Sequence, residues 1–143
     1  PIVVERAMWW PGNYAQWREA HATAGSTRTG TAWAIAEGEV GGTQRKATFV
    51  LVANTSTFAG SARVSLMFEG GTRAERTYPL AARGRLSVDV AADFPQSAGR
   101  RFSTMVESLG TTPAQVVVER AMYWDANGER WAAGTAALGT ILR

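Results

Sequence analysis

His21 is the only histidine in this sequence, so any imidazole base or imidazole metal ligand has to be His21. A Ser-His-Asp arrangement for nucleophilic catalysis would need it. The segment that carries His21 occurs a second time in the chain, and Thr135 stands at the corresponding position. Because a catalytic group is expected in both copies, we predict that His21 is a solvated loop residue without a catalytic role.

The carboxylates comprise three aspartates and nine glutamates, and none lies at a spacing that an acid–base mechanism requires. The segment from Asp125 to Glu129 resembles part of a calcium loop but lacks the further oxygen ligands, which favours a hairpin turn at Asn127-Gly128. The chain has no cysteine, which excludes disulfides and thiolate chemistry. We therefore predict no catalytic, cofactor-binding or metal-binding residue, no cofactor and no enzymatic activity.

Composition and charge exclude two further classes of function. The net charge is +3, and the fourteen arginines and one lysine are spread along the chain. Nucleic-acid binders usually concentrate positive charge on one face, so we do not expect a nucleic-acid partner. No apolar run approaches the roughly 20 residues that a membrane helix needs, so we do not expect membrane insertion. Hydrophobic residues at 45% and charged residues at 19% are typical of a folded globular chain.

An internal repeat is the most informative feature of the sequence. The run Val-Val-Glu-Arg-Ala-Met-Trp-Trp begins at Val3, and Val-Val-Glu-Arg-Ala-Met-Tyr-Trp begins at Val117. The match continues at the same offset through Asn13/Asn127, Trp17/Trp131, Ala22/Ala136 and Gly25/Gly139. We assign residues 1–25 to a first copy of the closing strand and loop, and 26–143 to one repeat unit that ends in the second copy. Together they are expected to form one compact domain, as in a tandem array cut one unit long.

Short apolar or alternating runs between turn residues predict strands. Val64, Leu66 and Phe68 share one face of such a run, and Gly70-Gly71 predicts the hairpin turn that follows it. The predicted strands cover residues 33–36, 47–53, 63–68, 73–78, 85–90, 102–106 and 116–124. Residues 14–24 and their counterparts 128–138 are interpreted as loop or hairpin. The pattern predicts an all-β fold, an Ig-like two-sheet β-sandwich of about seven to eight strands.

Several of these segments together resemble a known family. They are Trp33-Ala34-Ile35-Ala36-Glu37-Gly38, the apolar strand that ends at Ala53-Asn54, Val64 to Phe68, and the closing Val-Val-Glu-Arg-Ala-Met-Tyr-Trp. The chain is similar over nearly its whole length to an uncharacterised family of bacterial extracellular tandem-repeat domains with an Ig-like pattern. The resemblance implies a sandwich fold, a secreted or cell-surface location and tandem architecture, and it implies no chemistry.

The repeated strand carries the pairs Glu5-Arg6 and Glu119-Arg120. Strand alternation places Arg120 on the same face as Val118 and Met122, and Arg6 is placed likewise. An arginine on an apolar face needs a partner, such as a neighbouring Trp ring or the Glu107 carboxylate. The alternative is a bulge that turns the arginine outward. Both interpretations are structural.

Aromatic residues are concentrated in the repeated segments: Trp9, Trp10, Tyr14, Trp17, Tyr123, Trp124 and Trp131. They are expected to fill the sandwich ends and the contacts between repeats, or else to stack on sugar rings. We therefore predict a non-catalytic structural or adhesive repeat module, with a carbohydrate-binding module as the alternative. Its partners would be neighbouring repeat units, a second molecule in head-to-tail association or, in the alternative, a polysaccharide.

Overall fold

The computed structural model describes residues 2–10 and 19–143. These residues form eleven strands, one short α-helix and one 3-10 helix. The strands are β1 (Glu5–Trp10), β2 (Glu19–Ala24), β3 (Ala32–Val40), β4 (Ala47–Asn54), β5 (Gly60–Phe68), β6 (Arg73–Leu80), β7 (Arg85–Asp89), β8 (Arg100–Leu109), β9 (Val116–Ala126), β10 (Glu129–Leu138) and β11 (Thr140–Ile141). The α-helix α1 (Val90–Asp93) and the 3-10 helix (Pro95–Ser97) lie between β7 and β8.

Two antiparallel sheets form the sandwich. The first has the strand order β10-β9-β4-β7, and the second has the order β11-β3-β8-β5-β6. Among the residues that the structure describes, β1 and β2 pair only with each other, as a separate two-stranded sheet. The prediction of an all-β two-sheet sandwich is confirmed. The strands outnumber the expected seven to eight, because Glu19–Ala24 and Glu129–Leu138, within the segments interpreted as loop or hairpin, are strands and the short β11 joins β3.

The core lies between the two sheets and follows from strand alternation. Val64 and Leu66 of β5 are fully buried, as are Val50 and Val52 of β4. On β9 the buried core residues are Val116 and Val118. Glu119, Ala121 and Tyr123 alternate with those core residues and therefore lie on the opposite, outer face of their sheet.

Strand β3 is longer than the predicted strand over residues 33–36, because Glu37 and Gly38 belong to it. It continues through these residues to Val40, with a register shift between Ile35 and Gly38 in its pairing with β8. A Cβ atom on Gly38 would lie 2.2 Å from the Phe102 ring. The glycine is needed because an aromatic ring occupies the space of a side chain.

Tight turns at the predicted glycines set the strand ends. Gly70 and Gly71 have φ of 92° and 83° and join β5 to β6. Asn127 and Gly128 have φ of 52° and 78° and join β9 to β10, as a two-residue hairpin turn requires. In the part of the chain that the structure describes, no helix has the length and apolar character to cross a membrane.

Candidate functional site

The β1–β2 pair repeats the β9–β10 pair in structure as well as in sequence. Six residue pairs join β1 to β2, from Glu5 opposite Ala24 to Trp10 opposite Glu19. At the same sequence offset, Glu119 lies opposite Leu138 and Trp124 opposite Ala133. The Gly25 N–H donates to the Val4 carbonyl at 2.7 Å, and the Gly139 N–H donates to the Val118 carbonyl at 2.9 Å. The two strand pairs therefore share one register, including the hydrogen bond that closes each of them.

The first strand pair lies on the outer face of the β10-β9-β4-β7 sheet, where an ion pair crosses between the two copies. The Arg6 guanidinium donates to the Glu119 carboxylate, and both side chains are partly buried. The Thr23 hydroxyl donates to the same carboxylate at 3.1 Å. The arginine of the first copy thus pairs with the glutamate of the second, a partner that sequence alternation alone did not identify.

Aromatic rings extend this contact. The Trp10 indole N–H donates to the Trp131 carbonyl at 2.6 Å, and the Trp10 ring meets the Tyr123 ring edge-on at 5.2 Å. Tyr123 in turn stacks on Trp131 at 5.3 Å. A Cβ atom on Gly134 would lie 2.6 Å from the Trp10 ring. The missing side chain at Gly134 therefore leaves room for Trp10 beside Met122 and Tyr123, a role that sequence reasoning did not identify.

An apolar pocket of about 540 Å³ lies beside these rings. The described residues that line it are Met8, Trp10, Phe49, Tyr123, Arg130 and Trp131. Phe49 contacts both Tyr123 and Trp131 edge-on. Phe49 comes from the central strand β4, and sequence reasoning did not place it with the aromatic residues of the repeats.

The predicted aromatic residues occupy different environments. Tyr123 is buried, whereas Trp10, Trp124 and Trp131 are half-buried. Trp9 is 56% exposed and points away from the sandwich. Tyr14 and Trp17 lie outside the described residues. The structure therefore brings Trp10, Tyr123 and Trp131 together, and it leaves Trp9 on the surface.

Arg120 points into the sandwich, as strand alternation predicts, and not outward at a bulge. Its side chain is 6% exposed, and its Nη1 lies 3.7 Å from the Glu37 carboxylate. The same nitrogen is 2.9 Å from the Met122 sulfur. The suggested partner Glu107 was wrong, because Glu107 pairs with Arg63 at 2.6 Å and with Arg143. Burial lowers the Arg120 pKa, and the weak carboxylate contact opposes that shift.

Glu5 is exposed on β1, so the two Glu-Arg pairs are not equivalent. In the second copy Glu119 accepts the ion pair from Arg6, and Arg120 is buried. In the first copy Arg6 makes the contact, and its glutamate faces away from the sandwich. The same residues thus take different roles because only the second copy lies within a sandwich sheet.

His21 is not a solvated loop residue, so that prediction was wrong. It lies in β2, with its ring 4.9 Å from Trp10 and 6.2 Å from Tyr123. Both ring nitrogens are buried and have no hydrogen-bond partner among the described residues. Burial lowers the His21 pKa, and Arg6 lowers it further, against a smaller opposing effect of Glu119.

Docking of β1–β2 is therefore expected to weaken in acid. The His21 pKa is lower in the docked state than its ordinary value of 6.5. Above pH 6.5 the ring is neutral whether or not β1–β2 is docked, so the docked state has its full stability. As the pH falls below 6.5, protonation of the ring favours the undocked state, and that stability is lost. Hydrogen exchange of the β2 amides, compared at pH 7.5 and 5, measures the change. His21→Phe is the control and should remove most of the pH effect. An equal loss of protection in both proteins would contradict the assignment to His21.

Asp125 stabilises the β9–β10 connection as part of a turn. Its carboxylate accepts the Trp131 N–H at 2.8 Å and the Arg45 guanidinium at 2.5 Å. The first of these hydrogen bonds is the main reason that the Asp125 pKa lies below its ordinary value. Over residues 2–10 and 19–143, no three acidic or histidine side chains are grouped closely enough to hold a metal ion.

Replacing Trp10 tests the aromatic contact directly. Trp10→Ala removes a half-buried ring and its hydrogen bond to Trp131, so we expect a loss of about 1–2 kcal/mol in the free energy of unfolding. Trp9→Ala, one residue away on the exposed face, should cost less than about 0.5 kcal/mol. Urea denaturation followed by circular dichroism compares the two. Equal effects would mean that Trp10 is not anchored as described.

Comparisons with known proteins show the fold alone. No family model matches the chain, and no curated protein resembles it in sequence. A solved structure of Thermotoga maritima 1070 superposes with a TM-score of 0.65 at 15% identity, covering 78% of this chain and 94% of that one. A sensory rhodopsin transducer from Anabaena gives a TM-score of 0.51 at 17% identity, covering 67% and 86%. At such identities the likeness extends to the β architecture and not to function.

Proposed function

We propose that this chain is a non-catalytic structural repeat module of a bacterial secreted or cell-surface protein. The observation that carries the proposal is the β1–β2 pair, which duplicates β9–β10 in register and is held on the same domain by Arg6–Glu119 and Trp10. A duplicated closing element is what neighbouring units of a repeat array have in common. The secreted or surface location rests on the family resemblance of the repeated strand.

The use of the aromatic residues supports the structural role over ligand binding. Sugar platforms need ring faces that are open to solvent, whereas Tyr123 is buried and its ring stacks on Trp131. The Trp10 indole N–H donates its hydrogen bond to a main-chain carbonyl of the same chain. These rings therefore hold parts of the domain together.

A two-unit chain tests the proposal. In it, residues 1–114 precede the full sequence, which reproduces the spacing of the internal repeat. A structural module should hold its neighbour at a fixed distance, so small-angle X-ray scattering should give one extended particle with a defined maximum dimension. Scattering from two units that move independently on a flexible connection would contradict the proposal.

A carbohydrate-binding module is the second candidate, and the apolar pocket favours it. Trp131 and Arg130 line that pocket, and aromatic rings beside a polar group suit a sugar. If this candidate is correct, soluble polysaccharides should retard the protein in an affinity gel, and Trp131→Ala should abolish the retardation. Trp9→Ala, outside the pocket, is the control. The structural proposal expects no retardation of the unmodified protein.

A further inference from the structure

We infer that the β1–β2 pair is the closing strand pair of a second sandwich unit of the same kind, where it would occupy the place that β9–β10 occupies in this one. This inference rests on the proposed function, and it identifies the partner of the repeated segment. The residues that carry it lie on the face of β1 that alternation groups together. They are Arg6, Met8 and Trp10 of β1, with Ile2 and Val4 at the same two-residue spacing in the segment just before it.

This face matches the core face of β9 position by position. Val4, Arg6, Met8 and Trp10 are identical to Val118, Arg120, Met122 and Trp124, and Ile2 corresponds to Val116. The strand registers are also the same. Side chains of the same shape in the same register can fill the same core. A unit that accepts β9 beside its β4 would accept β1 there as well.

Docking on its own sheet covers this face only in part. Ile2 is 88% exposed and Val4 is 61% exposed, whereas their counterparts Val116 and Val118 are fully buried. Val3, which alternation places on the other face, is 96% exposed, and its counterpart Val117 is half-buried. The same apolar positions are thus exposed in the first copy and buried in the second. This difference indicates that the segment would bury its apolar side chains in the place of a β9–β10 pair.

The second strand of the pair also fits the proposed place. In β2, His21 and Thr23 correspond to Thr135 and Ala137 of β10. Strand β10 is the edge of its sheet, and both of these β10 residues are half-buried. A histidine is therefore placed at the margin of the sandwich, where its ring nitrogens can reach water, and not in the centre of the core.

The same face of β1 now contacts Glu119 and Tyr123 of its own chain. It cannot also lie in another core, so docking on its own sheet and closing a second unit exclude each other. While no second unit is available, docking on its own sheet covers the core face of the β1–β2 pair. The partner is thus a sandwich unit of this type in which no β9 pairs with β4.

The two-unit chain described above tests the inference, with cysteines introduced into a cysteine-free background. In the full chain Ala53 of β4 lies opposite Val117 of β9. We place Ala53→Cys in the added unit and Val3→Cys, the counterpart of Val117, in the full sequence. Ala53→Cys with Val117→Cys in the single full chain is the control for strand geometry, since cross-strand pairs lie within disulfide range.

We expect the disulfide in the two-unit chain to form to the same extent as in the control, as measured by mass spectrometry of the digested protein. If Cys pairs form in the control while the thiol at position 3 stays open to alkylating reagents, the inference is overturned. Two full sequences joined end to end show whether the added unit folds when it has its own β9–β10. If only that longer chain folds in both units, the inference fails. A rigid two-unit particle without the disulfide removes this inference alone. Flexible scattering removes the proposed function only if it is also seen for two full sequences joined end to end, in which each unit has its own β9–β10.

Discussion

Replacing Met122 by alanine should lower the free energy of unfolding by about 2–5 kcal/mol, whereas the same change at Met8 should cost less than about 1 kcal/mol. The two methionines stand at equivalent positions of the repeat. Met122 is 4% exposed inside the sandwich, and Met8 is 36% exposed on the docked strand pair. Only the first change leaves a cavity that the surrounding side chains cannot fill.

Urea denaturation of both variants measures the difference, with the circular dichroism of the sheet as the signal. Equal losses for Met122→Ala and Met8→Ala would contradict the assignment of the second copy to the core and of the first copy to the surface. An m-value that changes together with the midpoint would indicate an altered denatured state, and not a cavity.

The second large effect is expected at the equivalent arginines Arg6 and Arg120. Replacing them by methionine should change the free energy of unfolding in opposite directions. Arg120→Met should raise the free energy of unfolding by about 1–3 kcal/mol, because a buried cation with a weak ion pair is replaced by an apolar side chain of similar length. Its partner Glu37 is 78% exposed and stays solvated after the change. Arg6→Met should instead lower stability by about 1 kcal/mol, since it removes the partner of the partly buried Glu119.

Thermal melting at neutral pH compares the two arginine variants with the unmodified protein. A loss of stability for Arg120→Met would mean that the Glu37 carboxylate or the Met122 sulfur compensates the burial of the guanidinium better than the distances indicate. A neutral result for Arg6→Met would remove the ion pair from the forces that hold β1–β2 in place.

The sandwich could be predicted because its strands alternate clearly. Val64, Leu66 and Phe68 are buried on one face as their spacing indicates, and the glycine turns at Gly70 and Gly128 have the positive φ that such turns need. Less could be predicted where the local signal was ambiguous. Glu37-Gly38 has the residues of a turn, but the approach of a phenylalanine ring, and not a change of chain direction, accounts for the glycine.

The contacts of the repeated segment could be predicted only in part. Alternation correctly places Arg120 in the interior, and the repeat correctly suggests that Glu19–Ala24 resembles its counterpart, residues 133–138. The ion pair between Arg6 and Glu119 depends on how two separately formed strand pairs stack, which no local pattern encodes. His21 was assigned to a solvated loop because its counterpart in the second copy is Thr135, and its burial against Trp10 follows from the same stacking.

Removing residues 1–24 tests the central claim of a docked, duplicated strand pair most directly. Without β1–β2, the outer face that carries Glu119 and Tyr123 becomes exposed. A chain that starts at Gly25 should therefore melt about 5–10 °C below the full chain, with faster hydrogen exchange along β9 and β10. Light scattering should show that both chains have the same oligomeric state. An unchanged melting temperature, with unchanged exchange at Tyr123 and Gly134, would show that the first copy is a passive tail and would contradict the account.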